Sequence, residues 1–239
     1  SSFSEIAETL EAAKLSFVAS AHLLDHIEAV NLSADGQKLL NSISHPVLRQ
    51  SVRDYFVNQQ FRRDVFMKGP RAYVPAERVQ AWLAESFVLT TPVAEVPLKV
   101  NGSLGEATLQ NGIYDPIVAA IAENQYKPKR LRELVNHPQL RSLKFSQLQQ
   151  ALLVLAGAGH VSLAQPVSRA TKTQCMSLNR YLCDRSRSSS NISYLASPVI
   201  GGGVPMTRFE QLFLLAGASN KKTAKELAKF AWNVISSQG

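Results

Sequence analysis

A chain of 239 residues with 45% apolar content is long enough to bury one large core or two to three smaller ones. No run approaches the ~20 apolar residues of a membrane span and no signal-peptide layout opens the chain, so the expectation is a soluble, cytoplasmic globular protein. The net charge of +8, from 26 basic and 18 acidic residues, favours acidic partners without choosing among them.

Ser2-x-x-Glu5 is a capping box ahead of Ile6, Leu10 and Ala13, which predicts a first helix over residues 3–14. LSFVAS (15–20) then alternates as a strand does. His22, Asp25 and His26 place two histidines one helical turn apart. A zinc peptidase motif needs Glu directly after the first His, where Leu23 stands, so structural polar contacts are expected instead. Pro46 behind Ser44 starts a helix leading into Arg53–Gly69, RDYFVNQQFRRDVFMKG. Val57, Phe61 and Val65 recur at four-residue spacing, predicting one long helix that ends at Gly69-Pro70. Arg62, Arg63, Lys68 and Arg71 then form a basic patch near a chain reversal, suited to carboxylates, against the plainer reading of a solvated face.

FRRDVFMKG within this stretch, together with LSFVASAHLLDHIEAVNL (15–32), resembles the methyltransferase regulatory domain family. The likeness runs over roughly residues 3 to 90 and more loosely beyond. Members of the family follow an S-adenosylmethionine-binding catalytic domain in bacterial methyltransferases, including enzymes similar to protein-lysine methyltransferases. The resemblance implies that residues 1–20 are the tail of that catalytic domain, its final helix and strand; Ser1 in place of Met is expected of a chain that is processed or part of a longer one.

Val74-Pro75-Ala76-Glu77 starts another helix, and FVLTT (87–91), PLKV (97–100) and EATL (106–109) read as a small sheet, or a β-rich connector, ending near Gly112. Asp115-Pro116 caps a helix bearing Ile117, Val118 and Ile121. KPKRLRELVNHP gives a short second helix, and Phe145–Ala156 a third with Leu148, Leu152 and Leu155 in register. A strand, HVSLAQPV (160–167), follows at the edge of a wing, so residues 113–167 are expected to form a winged-helix-like domain. Beyond Ser168, RSRSSSN (185–191) and GGG (201–203) predict less regular structure. Helices follow behind the Thr207/Glu210 and Thr223/Glu226 boxes.

Catalytic patterns are weak. LLVLAGAGH (152–160) ends in Gly-x-Gly but carries helical leucine spacing, so Gly157 and Gly159 read as a helix end. GGGVP (201–205) lacks the Lys-Ser/Thr of a phosphate-binding loop. Cys175 and Cys183, eight residues apart, read as reduced thiols.

The expectation is a mainly α (α+β) chain with a helical regulatory domain and small β element at 1–112, a winged-helix-like domain at 113–167 and a C-terminal helical region at 168–239. No catalytic, cofactor or metal residue is assigned, and S-adenosylmethionine is implied only for the catalytic domain. The partners expected are that catalytic domain, a protein substrate and a second copy of the chain. Candidate partner-binding residues are Arg62, Arg63, Lys68, Arg71, Lys129 and Arg130. Nucleic-acid binding is the alternative, resting on six basic residues between Lys127 and Lys144. It is weakened because helix 145–156 carries no Lys or Arg, and because the second and third helices are too far apart for a helix-turn-helix.

Overall fold

Helix α1 (Phe3–Glu11) starts where the capping box dictates: Ser2 Oγ accepts from the Glu5 amide, and the Glu5 carboxylate accepts from the Ser2 amide at 2.8 Å. The arrangement is seen in a computed structural model that describes residues 2–221 and 223–237. The helix stops three residues short of the expected end, and Lys14, in the left-handed region (φ 60°), turns the chain into β1 (Leu15–Ser20). A 3₁₀ turn (Leu23–His26), α2 (Glu28–Asn31) and α3 (Ala34–Ser42) lead to α4 (Pro46–Phe56). Pro46 holds the first helical position as expected, but the capping side chain is His45 rather than Ser44; its Nδ1 accepts from the Leu48 amide at 3.3 Å.

The expected helix over 53–69 is corrected here. α4 ends at Phe56, Asn58 turns left-handed (φ 49°), and β2 (Asp64–Lys68) pairs antiparallel with β1. The reason is the burial each period allows. Asp64 and Phe66 alternate inward while Val65 and Met67 face out, and Phe66 lies 5.8 Å from Phe17 and 6.4 Å from Phe3 between ring centroids. A helix would have aligned Phe61 with Val65, yet Phe61 is 89% exposed and has no core to meet.

Next come α5 (Pro75–Ala84), β3 (Ser86–Leu89), β4 (Lys99–Gly102) and β5 (Gly105–Thr108), followed by α6 (Asn111–Tyr126), β6 (Lys129–Arg130), α7 (Leu131–Val135), α8 (Phe145–Gly157) and β7 (Val161–Ala164). Of the small sheet or β-rich connector expected before Gly112, β4 and β5 form a hairpin, whereas β3 is the middle strand of a separate β6-β3-β7 sheet. α6 begins at Asn111, not behind Asp115, so Pro116 lies inside it and forgoes one i→i−4 bond. Helix, strand, helix, helix and strand thus follow in order from α6 to β7. The middle strand, however, is supplied from upstream and not by a hairpin returning after α8.

Ile117, Ile121, Leu131, Leu134, Leu152 and Leu155 are fully buried, and the same cluster takes in Leu24, Ile27, Phe87 and Val100. Each such side chain contributes about 1.5–3 kcal/mol. Residues on both sides of position 112 therefore build one core, and the chain divides by contact into two units, Ser1–Leu163 and Ala164–Gly239. Two close approaches lock the first unit. A Cβ on Gly102 would lie 2.1 Å from the Val30 carbonyl oxygen, and one on Gly157, the last residue of α8, would lie 2.7 Å from Leu24 Cγ. Buried Asn31 ties the same corner: Nδ2 donates to the carbonyls of Leu24 (2.7 Å) and Ile27 (3.0 Å), and Oδ1 accepts from the Ser103 amide (3.1 Å).

The second unit is more regular than its composition predicts. α9 (Arg169–Arg185) starts at Ser168, whose Oγ accepts from the Thr171 amide at 3.0 Å. The helix runs into the Ser-rich stretch as far as Arg185. Gly202 and Gly203 belong not to a loop but to β9 (Gly202–Pro205), which pairs with β8 (Tyr194–Ser197). Asn179 on α9 fixes that hairpin, exchanging bonds of 2.8 and 2.7 Å with the Ala196 backbone. α10 (Arg208–Ala218) and α11 (Ala224–Ser236) open with both expected capping boxes. α10 packs against α9 and α11, burying Leu212, Ala216, Ala231 and Cys183. Mainly α, with small sheets, is the fold class of the chain.

Candidate functional site

The loop between α4 and β2 carries Arg62 into a crossing point of α1, α4 and the β1–β2 sheet. Arg62 Nε donates to Asp64 Oδ2 at 2.6 Å and Nη2 to Asp64 Oδ1 at 3.1 Å, a two-pronged grip along one side of the guanidinium. Nη1 donates to Asp54 Oδ1, and Nη2 also reaches Gln50 Oε1 at 3.0 Å. The guanidinium lies over the Phe3 ring, 4.3 Å from its centroid, with Phe17 at 5.6 Å. The Arg62 side chain is 17% exposed, and Asp54 and Asp64 are similarly covered.

One cation between two carboxylates leaves a local excess of negative charge. Burial opposes the charged form of Arg62, but its hydrogen bonds to Asp64 and the charges of Asp54 and Asp64 outweigh that and hold its pKa above the usual value. Burial raises Asp54 above the ordinary carboxylate range. Arg62 and Arg53 pull it down by less, and Asp64 adds repulsion. Asp54 is thus shifted toward its neutral form.

The expected basic patch is therefore corrected at Arg62, whose charge is consumed internally. Arg71 pairs with Glu77 on the surface. Arg63 and Lys68 are exposed, and among the described residues neither side chain has a hydrogen bond or ion pair. Lys129 is buried: its Nζ donates to the carbonyls of Glu123 (2.8 Å) and Ile121 (3.2 Å), where Asn124, Gln125 and Tyr126 turn left-handed in succession. That is a structural cap on the end of α6. Arg130 is exposed, and its amide donates to Glu133 Oε2 at 2.6 Å to start α7. The six candidates do not converge on one site.

Beside the Arg62 cluster lies a cavity of about 880 Å³ lined by Phe3, Asp54, Tyr55, Gln59, Phe61 and Asp64, among others. Tyr55 and Phe61 stand exposed at its edge. Asp54, Asp64 and Gln50 belong to no catalytic motif in the sequence. The available signal was that Asp54 and Asp64 bracket Arg62, the latter two residues away, the reach a strand allows for a same-face pair.

His22, Asp25 and His26 form the structural network expected of them. Asp25 accepts from Ser20 Oγ at 2.7 Å and faces His22 Nδ1 at 3.3 Å, while Arg53 Nη2 donates to its carbonyl at 3.0 Å. Burial would raise the Asp25 pKa, but Ser20, Arg53 and His22 together hold it below the ordinary value. His26 Nε2 meets the Ser20 carbonyl at 2.9 Å. Neither Gly-rich stretch matches a strand–turn–helix nucleotide cradle. Gly157 ends a helix against Leu24, and Gly201–Gly203 sits in the turn and strand of the β8–β9 hairpin. Both stretches serve the fold.

The Arg62 cluster lies within residues 1–68, which match the family described as predicted methyltransferase regulatory domain, the family the sequence resembled. Over 239 residues the chain is 38% identical to the uncharacterized protein sll1526 of Synechocystis sp., covering 99% of this chain and 46% of that protein. Two solved structures of PKMT2 from Rickettsia typhi share the fold, each with a TM-score of 0.52. The one in complex with AdoHcy is 15% identical, covering 89% of this chain and 46% of that one, and the other is 14% identical, covering 98% and 56%. The chain thus spans about half the length of the proteins it matches.

Among the described residues no helix is long and apolar enough to cross a membrane.

Proposed function

We propose that this chain is a non-catalytic part of an S-adenosylmethionine-dependent methyltransferase that methylates protein and acts in the cytoplasm. In this reading it holds the protein substrate, pairs with the catalytic domain or brings two copies together, and the cofactor belongs to the catalytic domain alone. The observation that carries it is the family match over residues 1–68, whose residues include the whole Arg62 cluster. The fold likeness to PKMT2 over most of the chain agrees with it. Residues 113–167 would act as a winged-helix-like protein-contact element and not as a reader of nucleic acid, because Lys129, central to the expected phosphate footprint, is turned inward.

Calorimetric titration of S-adenosylmethionine into the chain tests the non-catalytic role. No saturable heat is expected, and binding in the micromolar range would overturn it. The substrate-holding role is tested in the longer protein containing this sequence. Reversing Arg63 and Lys68 to Glu is expected to raise KM for a protein substrate several-fold with kcat little changed. Unchanged methylation would leave those cations as a solvated face.

A further inference from the structure

We propose that the groove between α10 and α11 docks an acidic segment of a partner protein, which seats a large apolar side chain between the helices while its carboxylates meet Lys225 and Lys229. The first observation is where the charge sits. Residues 164–239 hold ten Lys or Arg against three Asp or Glu, and residues 1–163 hold sixteen against fifteen, so nearly all of the net +8 lies in the second unit. The three carboxylates there are already engaged. Asp184 pairs with Arg187, Glu210 caps α10 through Thr207, and Glu226 caps α11 through Thr223. Lys225 and Lys229, one helical turn apart, have no side-chain hydrogen bond or ion pair among the described residues.

The second observation is the groove itself. Phe209, Phe213, Ala228 and Trp232 line a cavity of about 430 Å³ with an almost wholly apolar floor and Lys229 at its rim. Trp232 is 70% exposed and Phe209 52%, so two large rings are left in solvent beside unpaired cations. Phosphate binding needs cations but no apolar floor, whereas a peptide alternating Leu or Phe with Glu satisfies both features at once. This rests on the second unit alone and stands apart from the methyltransferase reading.

The test is fluorescence anisotropy of a labelled peptide of Glu-Glu-Leu-Phe repeats titrated with the full chain, in parallel with a Lys-Lys-Leu-Phe peptide and a labelled DNA duplex. The acidic peptide is expected to bind, and to weaken about tenfold for Trp232→Ala and for Lys225→Glu/Lys229→Glu. Its affinity should also fall as salt rises. Because these side chains are exposed, the variants keep the fold. Lys127→Glu/Arg141→Glu/Lys144→Glu removes more charge from the first unit and is expected to change binding by less than about twofold. Absence of acidic-peptide binding, indifference to Trp232, an equal loss in the first-unit variant, or tighter binding of the DNA duplex would each overturn the proposal.

Discussion

Replacing Arg62 by Met should destabilise the first unit more than any other single charge removal. The methionine keeps much of the contact with Phe3 and Phe17 but leaves Asp54 and Asp64 facing each other with no cation between them. Breaking a buried pair from one side costs about 3–5 kcal/mol. The cluster retains some solvent access and Gln50 can turn toward Asp54, so the low end, about 3 kcal/mol, is expected. For a domain of this size that is a fall of roughly 6–12 °C in Tm, read by far-UV circular dichroism and by urea titration. The two carboxylates left together repel, so their folded-state pKa values rise, and an acid with a raised folded pKa regains stability as pH falls. The deficit should therefore be largest near neutral pH and shrink toward about pH 4. Asp54→Asn added to Arg62→Met should restore part of the loss. In the wild-type chain it should cost little, because burial already shifts Asp54 toward its neutral form and Asp64 keeps its two-pronged grip on Arg62. A loss under about 1 kcal/mol for Arg62→Met, or a deficit that does not change with pH, would refute this account.

Three further outcomes follow from the same structure. Gly102→Ala must push backbone against backbone at Val30, so chemical denaturation should show a loss of about 2 kcal/mol or more. Lys129→Met strands the carbonyls of Ile121 and Glu123 at a left-handed turn; about 1–3 kcal/mol is expected, with faster amide exchange at the end of α6. Asp25, whose pKa is held low, contributes stability that is present above the ordinary carboxylate pKa and lost as pH falls through its lower folded value. Asp25→Asn should therefore flatten the acid limb of the stability profile while lowering the plateau near neutral pH.

How far the sequence alone reaches is clearest in FRRDVFMKG. Its resemblance to the family was legible and holds, yet its secondary structure was misread, and the two facts have one cause. The stretch satisfies a four-residue spacing through Val57, Phe61 and Val65 and a two-residue spacing through Asp64, Phe66 and Lys68. Local periodicity cannot choose between them. The choice is made by Phe3 and Phe17, far away in the chain, which give Phe66 a place to pack and Phe61 none. Capping boxes were read correctly at Ser2, Thr207 and Thr223 because each is complete within four residues. α9 was missed because its polar composition hides a buried face that exists only once the β8–β9 hairpin lies against it.

Charge obeys the same division between local and distant information. Clustered basic letters at 62–71 and 127–144 suggested surfaces, but a cation's availability depends on partners that spacing does not reveal. Arg62 is held by Asp54, eight residues away and on another element, and Lys129 is held by backbone carbonyls that carry no letter of their own. In the first unit sixteen basic residues meet fifteen acidic ones, so a dense local run still finds counter-charge. In the second unit the supply is three carboxylates, all spent on a surface pair or a helix cap. There the unpaired cation is the consequence of composition over a whole unit and not of a motif. Attraction for acidic partners is therefore sought on α10 and α11 as well as at Arg63 and Lys68, and not at Arg62 or Lys129, whose charges are held internally.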